Sequence, residues 1–466
     1  VGVALIDSGV APVEGLDRNV VYGPDLSFDS QSHDLAYYDS FGHGTHMAGI
    51  IAGRDASATA GGYAGDTGDF LGMAPDAHIV SVKVADSYGD VDVSQLIAGI
   101  DWVVAHRDDP GLNIRVLNLS VGTESVQSYK LDPLAYAADA AWRAGIVVVA
   151  AAGNDGSVLG QPKPKPGQSS SSGYNGLVDP AYDPNIIAVG AADTQGTVTP
   201  TDDTVASFSN TKGNGGGADR KPDLVAPGVH VASLRDPGSV IDTNYGDTGG
   251  VDQRLMRGSG TSQATAVVSG AAALLLSAHP DATPGDIKAA LTHSAVKLAH
   301  TSGDYQGAGE LSLLKLTDGR DLPKGPPAPK PDNKAGSGSL QASRGTTSVV
   351  DPSTGTVLSG EMDIFGNSVD TAALAQAETA GQAWSGGTFN GSVWTGSGFD
   401  SSGRWSLATW PGQDWAGADF ATSVANANGL AGHTWSGHTW SGHTWSGHTW
   451  SGHTWSGHTW SAQEWQ

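Results

Sequence analysis

The 466-residue chain contains no cysteine. That absence excludes a disulfide scaffold, a thiolate-held zinc ion and thiol catalysis. Basic residues are scarce: 24 Lys and Arg stand against 48 Asp and Glu, a formal charge of −24. A nucleic-acid groove needs a basic face, so nucleic acid is excluded as a partner. Long apolar runs are missing too, and no run reaches the roughly 18–20 residues that span a bilayer. The nearest, at 266–276, is broken by Ser269 and Gly270 and predicts a buried helix. Charged residues make up 15% of the chain, below the roughly 25% of ordinary globular domains. The acidity therefore reflects few bases, not a dense anionic coat, and wholesale disorder is not expected. The length allows two or three domains with a sizeable core. The chain starts at Val1 and reads as strand at once, so an N-terminal truncation is expected, with any leader or pro-segment upstream.

Strand-like apolar runs fall at 1–6, 78–84, 114–119, 146–151 and 186–189, and helical patterns at 44–52, 93–106, 133–144, 262–278 and 284–294. This alternation predicts an α/β fold with a doubly wound, mostly parallel sheet, spanning 1–320. Ligands on such sheets sit at the carboxyl ends of the strands, and Asp7, Ser120 and Asn154 each follow a strand pattern. Five prolines in 323–331, then Gly336-Ser337-Gly338-Ser339, predict an extended linker over 321–339. Residues 340–383 read as a small or weakly structured segment, with two alternating runs flanking 352–355 as a candidate hairpin.

Residues 384–466 form an aromatic five-residue repeat and hold 12 of the 14 Trp. Gly-His-Thr-Trp-Ser recurs with Trp435, Trp440, Trp445, Trp450, Trp455 and Trp460. A degenerate form precedes it at Trp384, Phe389, Trp394 and Phe399, slips by one residue, and resumes at Trp405, Trp410, Trp415 and Phe420. A period of five matches neither helix nor strand. A low-complexity tail without one fold is expected. It is favoured over stacking on cell-wall or other polysaccharide, insertion of the Trp at a membrane interface, transition-metal binding by the repeated His, and a five-residue β-solenoid.

Three segments bear on chemistry. Ile6-Asp7-Ser8-Gly9 puts a carboxylate at a strand end. Gly42-His43-Gly44-Thr45-His46 puts an imidazole at a helix start. Gly258-Ser259-Gly260-Thr261-Ser262 puts a hydroxyl at the entry to a small-residue helix. Alone, each has an ordinary reading as a turn former, a packed imidazole or an N-cap. Together they supply what acyl transfer needs. Serine becomes a nucleophile when a neutral imidazole takes its proton, and the imidazole needs an acceptor on its other nitrogen to fix its tautomer. Asp7, His43 and Ser262 follow the chain order Asp, His, Ser found in subtilisin.

At these residues the chain resembles the subtilisin-like (subtilase) serine peptidases, over 1–316. Further matching stretches are Leu117-Asn118-Leu119-Ser120-Val121-Gly122, Val149-Ala150-Ala151-Ala152-Gly153-Asn154, Lys221-Pro222-Asp223-Leu224-Val225-Ala226-Pro227-Gly228 and Tyr305-Gln306-Gly307-Ala308-Gly309. The resemblance implies that Asn154 is the side-chain oxyanion donor, with the Ser262 backbone N–H as its partner. It implies that Ser120, Val121 and Gly122 pair with an extended peptide. Gly89, in the loop 86–92, would form the opposite wall, and Ala151, Ala152 and Gly153 would line the main specificity pocket. Departures are Gln263 for the usual Met, Ala266 for the usual Pro, and Gly15 where many relatives place an acidic calcium ligand. The loop 65–69 offers other carboxylates, of the kind calcium prefers. Pro180 falls where a cis-proline is frequent, and 162–172 reads as a surface insertion. The implied protein is a secreted or cell-surface, monomeric serine endopeptidase acting on peptides or proteins. It would need no cofactor for catalysis, and structural calcium is left open. The rival reading is a surface binding protein with an inert catalytic-like domain and an adhesive Trp array.

Overall fold

Apolar runs without alternation suit strands buried on both faces. The computed structural model describes residues 1–410 apart from 155, 157–175, 214–219, 315, 317–320, 332–333, 346–347 and 352–355. In chain order the elements are β1 (Gly2–Asp7), β2 (Val20–Asp25), α1 (His43–Ala52), β3 (His78–Lys83), α2 (Val93–His106), β4 (Ile114–Leu119), α3 (Pro133–Arg143) and β5 (Val147–Ala151). Next come β6 (Ile187–Asp193), β7 (Thr204–Val205), β8 (Leu224–Pro227), β9 (Val231–Leu234), α4 (Val240–Gly249), β10 (Leu255–Gly258), α5 (Thr261–Ala278), α6 (Pro284–Ser294) and α7 (Gly303–Gln306). The last part holds α8 (Leu340–Ser343), α9 (Thr371–Thr379), β11 (Trp384–Ser385), β12 (Thr388–Phe389), β13 (Ser392–Val393), β14 (Thr395–Phe399) and β15 (Trp405–Leu407).

The main sheet runs β2-β3-β1-β4-β5-β6-β7, with β8 also paired to β6. Only the β6–β7 pairing is antiparallel. The chain passes from β3 across β1 to β4, so the winding reverses beside β1. The crevice at the carboxyl end of β1 is where such sheets receive ligands, and Asp7 is the last residue of that strand.

The helices begin where their caps dictate. Asp92 and Gln95 form a capping box on α2, and Thr283 and Asp286 form one on α6. The buried helix expected at 262–278 is α5. It is long and apolar enough to span a bilayer, but 83% of it is buried inside the protein, so it is core. Gly270 lets it approach closely: a Cβ there would lie 2.4 Å from Cβ of Met73. Strand β2 escaped the sequence pattern because Gly23 and Pro24 interrupt it. Its place at the sheet edge tolerates proline.

Val350 and Val357 form an antiparallel bridge around 352–355, and the Leu358 N–H donates to the Val349 carbonyl at 2.9 Å. The expected insertion at 162–172 and the Gly-His-Thr-Trp-Ser repeats lie outside the described residues.

The expectation of an aromatic tail without one fold is corrected for 384–410. Trp384, Phe389, Trp394, Trp405 and Trp410 are buried there and join the main core. The first step of that spacing of five has a simple cause. Trp384 pairs with Phe389, and Ser385 with Thr388, across Gly386-Gly387. Phe389 pairs with Ser392, and Thr388 with Val393, across Asn390-Gly391. All four turn residues have positive φ, as two-residue hairpin turns require. Trp384 and Phe389 therefore face each other across a tight turn, whereas the Phe389 and Trp394 rings meet edge-on at 5.6 Å without being cross-strand partners. Strands β14 and β15 then cover the free edge of β2, with an isolated bridge between Tyr22 and Arg404.

Candidate active site

At the rim of the sheet the Asp7 carboxylate faces His43, the first residue of α1. Nδ1 of His43 lies 2.8 Å from Oδ1 of Asp7 and 3.0 Å from Oδ2. An ionised carboxylate only accepts, so Nδ1 carries the hydrogen and Nε2 keeps the lone pair a general base needs. The close approach depends on Gly44. A Cβ there would lie 2.0 Å from the Gly9 carbonyl oxygen and 3.0 Å from Oδ1 of Asp7.

Two residues that the sequence reading missed fix this pair. The Ser8 N–H donates to Oδ1 of Asp7 at 2.8 Å, and the Ser8 hydroxyl donates to Oδ1 of Asp39 at 2.7 Å. That hydroxyl also accepts the Gly44 N–H at 3.0 Å. Asp39 accepts the N–H groups of Gly42 and Thr45, each at 2.7 Å. It thereby satisfies the start of the helix that carries His43. Burial pushes the Asp39 carboxyl up, against hydrogen bonds from Thr45, Ser8 and Gly42. The available signal was an acidic residue just upstream of a helix start.

His46, the other imidazole of the motif, has a different fate. It is buried with Nε2 3.2 Å from the Met256 carbonyl oxygen. Burial drives its pKa down to about 3, against the pull of that carbonyl. It stays neutral, and of the two imidazoles in this motif it is His43 that faces a carboxylate.

Ser262 is the second residue of α5 and is fully buried. Its hydroxyl donates to the Ser120 carbonyl at 3.3 Å, and the Ser120 hydroxyl donates to the Ser262 carbonyl at 3.3 Å. Asn118 donates to the Ser120 hydroxyl at 2.9 Å and accepts from Ser269 at 2.9 Å, tying β4 to α5. Asn154 sits beyond β5. Its Oδ1 accepts the Thr261 N–H at 2.8 Å and the Thr261 hydroxyl at 3.0 Å. With the oxygen so committed, any donation from this amide comes from Nδ2. The first N–H groups of α5 and the helix dipole add positive potential beside it.

The other implied residues lie around this rim. Ser120, Val121 and Gly122 follow β4, and Thr123 bridges to Asp179, whose bond to Pro180 is cis. A Cβ on Gly122 would lie 2.4 Å from Val178 Cγ2, and one on Gly153 would lie 2.5 Å from Asn210 Nδ2. The Ala152 N–H donates to the Val189 carbonyl at 2.9 Å, and its own carbonyl accepts from Val178 at 3.1 Å. Gly89 turns the 86–92 loop at φ +81°. In the loop 65–69, Oδ1 of Asp66 already accepts the N–H groups of Gly68 and Asp69 at 3.0 Å each. Among the described residues no three His, Asp or Glu side chains converge as a metal cage.

The sequence model of the subtilase family matches residues 1–338. The chain belongs to the subtilase family. "Serine protease AprX" of Bacillus subtilis (strain 168) is 34% identical over 323 residues, 69% of this chain and 66% of that protein. "Subtilisin" of Bacillus pumilus is 34% identical over 313 residues, 67% of this chain and 89% of that one. The match to AprX thus spans slightly less than two-thirds of that relative's length. A crystal structure of a cold adapted subtilisin-like serine proteinase superposes with a TM-score of 0.45 at 26% identity, covering 66% of this subtilase and 86% of that chain.

Proposed function

We propose that this subtilase is a serine endopeptidase that cleaves peptide bonds through Asp7, His43 and Ser262. The observation that carries the reading is the buried Asp7–His43 pair, with Nδ1 at 2.8 Å from the carboxylate. In the proposed cycle the Ser262 hydroxyl leaves the Ser120 carbonyl and turns to Nε2 of His43. It attacks the scissile carbonyl as His43 takes its proton, and the oxyanion accepts from Asn154 Nδ2 and the Ser262 N–H. The imidazolium, held by Asp7, protonates the leaving amine, and water then hydrolyses the acyl-enzyme. Ser120–Gly122 would pair with the substrate backbone, with Gly89 opposite and Ala152 and Gly153 along the pocket. A serine-directed fluorophosphonate is expected to label Ser262 alone. Ser262→Ala should lower peptide hydrolysis by on the order of 10⁶, the magnitude known for subtilisin itself, with thermal unfolding unchanged. Substantial hydrolysis by that variant sinks the reading. We place the enzyme outside the cell or on its surface, on its likeness to the subtilisins. Fractionation of the producing culture checks this.

A further inference from the structure

A peptidase cleft must be reached from solvent by a polypeptide, yet here the side chains proposed for it are almost wholly buried. Ser262 has 0% of its surface exposed, and His43 and Asn154 have 1% each. Ser120, Val121 and Gly122 are buried as well. The two walls expected to hold substrate are the loop ending at Asp92 and the stretch that continues from Ser120–Gly122 into Thr123 and Glu124.

One segment of the chain bridges both walls. On the first, the Arg344 guanidinium grips the Asp92 carboxylate, Nε to Oδ1 at 2.7 Å and Nη2 to Oδ2 at 3.3 Å, and both side chains are buried. On the second, the Thr123 hydroxyl donates to the Ser343 carbonyl at 2.5 Å. A Cβ on Gly345 would lie 2.7 Å from the backbone carbon of Glu124, so the two backbones touch. Ser339 is clamped further along. Its N–H donates to Oε1 of Gln127 at 2.7 Å, and its carbonyl accepts Nε2 of Gln127 at 2.9 Å. The Ser343 hydroxyl donates to Oδ1 of Asp132 at 2.6 Å, with Oδ2 of Asp179 at 3.2 Å. The Arg344 guanidinium also donates to the carbonyls of Gly360 and Met362, each at 2.6 Å, which ties this strap to the chain that follows.

We propose that Ser339 to Gly345 form an intramolecular strap across the substrate cleft, and that its docking holds the full chain latent. The inference rests on the peptidase reading. Only the fraction of molecules with the strap displaced is competent, so apparent reactivity falls by that fraction.

The test is the rate at which a fluorophosphonate labels Ser262 in the full chain, together with hydrolysis of a small chromogenic peptide. Arg344→Ala removes the grip on Asp92. Gly345→Val acts independently, by thrusting a side chain against Glu124, and touches no group of the catalytic site. Circular dichroism confirms that each variant is folded. Both variants are expected to label and hydrolyse faster than the unmodified chain, by roughly tenfold or more if under a tenth of molecules are open. Equal rates in all three folded proteins overturn the strap and leave the peptidase reading standing. No labelling in any of them overturns both.

Discussion

The rim of the main sheet and its β2 edge are both closed to solvent, but by opposite means. At the rim, Asp7, Ser8, Asp39 and His43 are buried polar groups joined in one hydrogen-bonded web. Such a web fixes geometry and leaves little tolerance for change, because each lost partner strands another buried polar atom. At the edge, Trp405 packs edge-on against Trp102 at 5.1 Å, Phe399 at 5.1 Å and His106 at 4.7 Å. Its indole N–H reaches the Thr395 hydroxyl at 3.0 Å, and its carbonyl accepts from Tyr37. This is bulk apolar burial that also hides an unpaired strand edge. On the proposed reading the rim serves the chemistry and the edge serves stability.

The largest test of that division is Trp405→Ala. Deleting a buried Trp side chain costs about 3–5 kcal/mol, which should appear as a clear drop in the denaturant midpoint. Peptide hydrolysis per folded molecule should stay near normal at permissive temperature. A matching collapse in kcat would show that edge and rim are mechanically one unit.

Asn154→Ala probes the rim in the opposite sense. Turnover should fall by about 10²–10³ with KM little changed, as for the corresponding donor in subtilisin. Stability should change far less than in Trp405→Ala. Measuring it in both the unmodified and the Gly345→Val backgrounds removes strap occupancy from the comparison. A rise in KM with kcat intact would make Asn154 a binding group only.

The two regions were not equally legible in the sequence. Helices 93–106 and 284–294 were readable to the residue because Asp92, Thr283 and Pro284 mark their starts. The placement of Asp7 at a strand end and of His43 and Ser262 at helix starts was readable because these are local signals. The link between Ser8 and the α1 start was missed because its bonds to Asp39 and Gly44 span 31 and 36 residues, although the acidic residue just upstream of the helix was a local signal for Asp39. The edge was misread for another reason. The aromatic spacing reads as one array, although Gly386-Gly387 and Asn390-Gly391 are two-residue turn signals that fold its start into hairpins and pair Trp384 with Phe389. The strap was invisible because the Arg344–Asp92 pair spans 252 residues.

The smallest effect should come from a contact that belongs to neither region. Glu378 on α9 and Asp101 on α2 are buried carboxyl groups. Burial pushes Glu378 well up, Asp101 raises it further, and Arg143 pulls it back. Burial likewise holds Asp101 well above the usual carboxylate range. Below about pH 4 the folded and unfolded chains both carry these protons, and nothing is lost. As the pH rises, the unfolded chain releases them first, so stability declines until the folded pair itself ionises. Glu378→Gln keeps the shape but removes one of the two titrating groups. Its melting temperature should match the parent near pH 4 and exceed it by on the order of 2 °C or more at pH 8, with hydrolysis unaffected. A parallel decline with pH in parent and variant would mean that Glu378 is already ionised when α9 is docked, with Arg143 as its counter-ion and Asp101 too remote to matter.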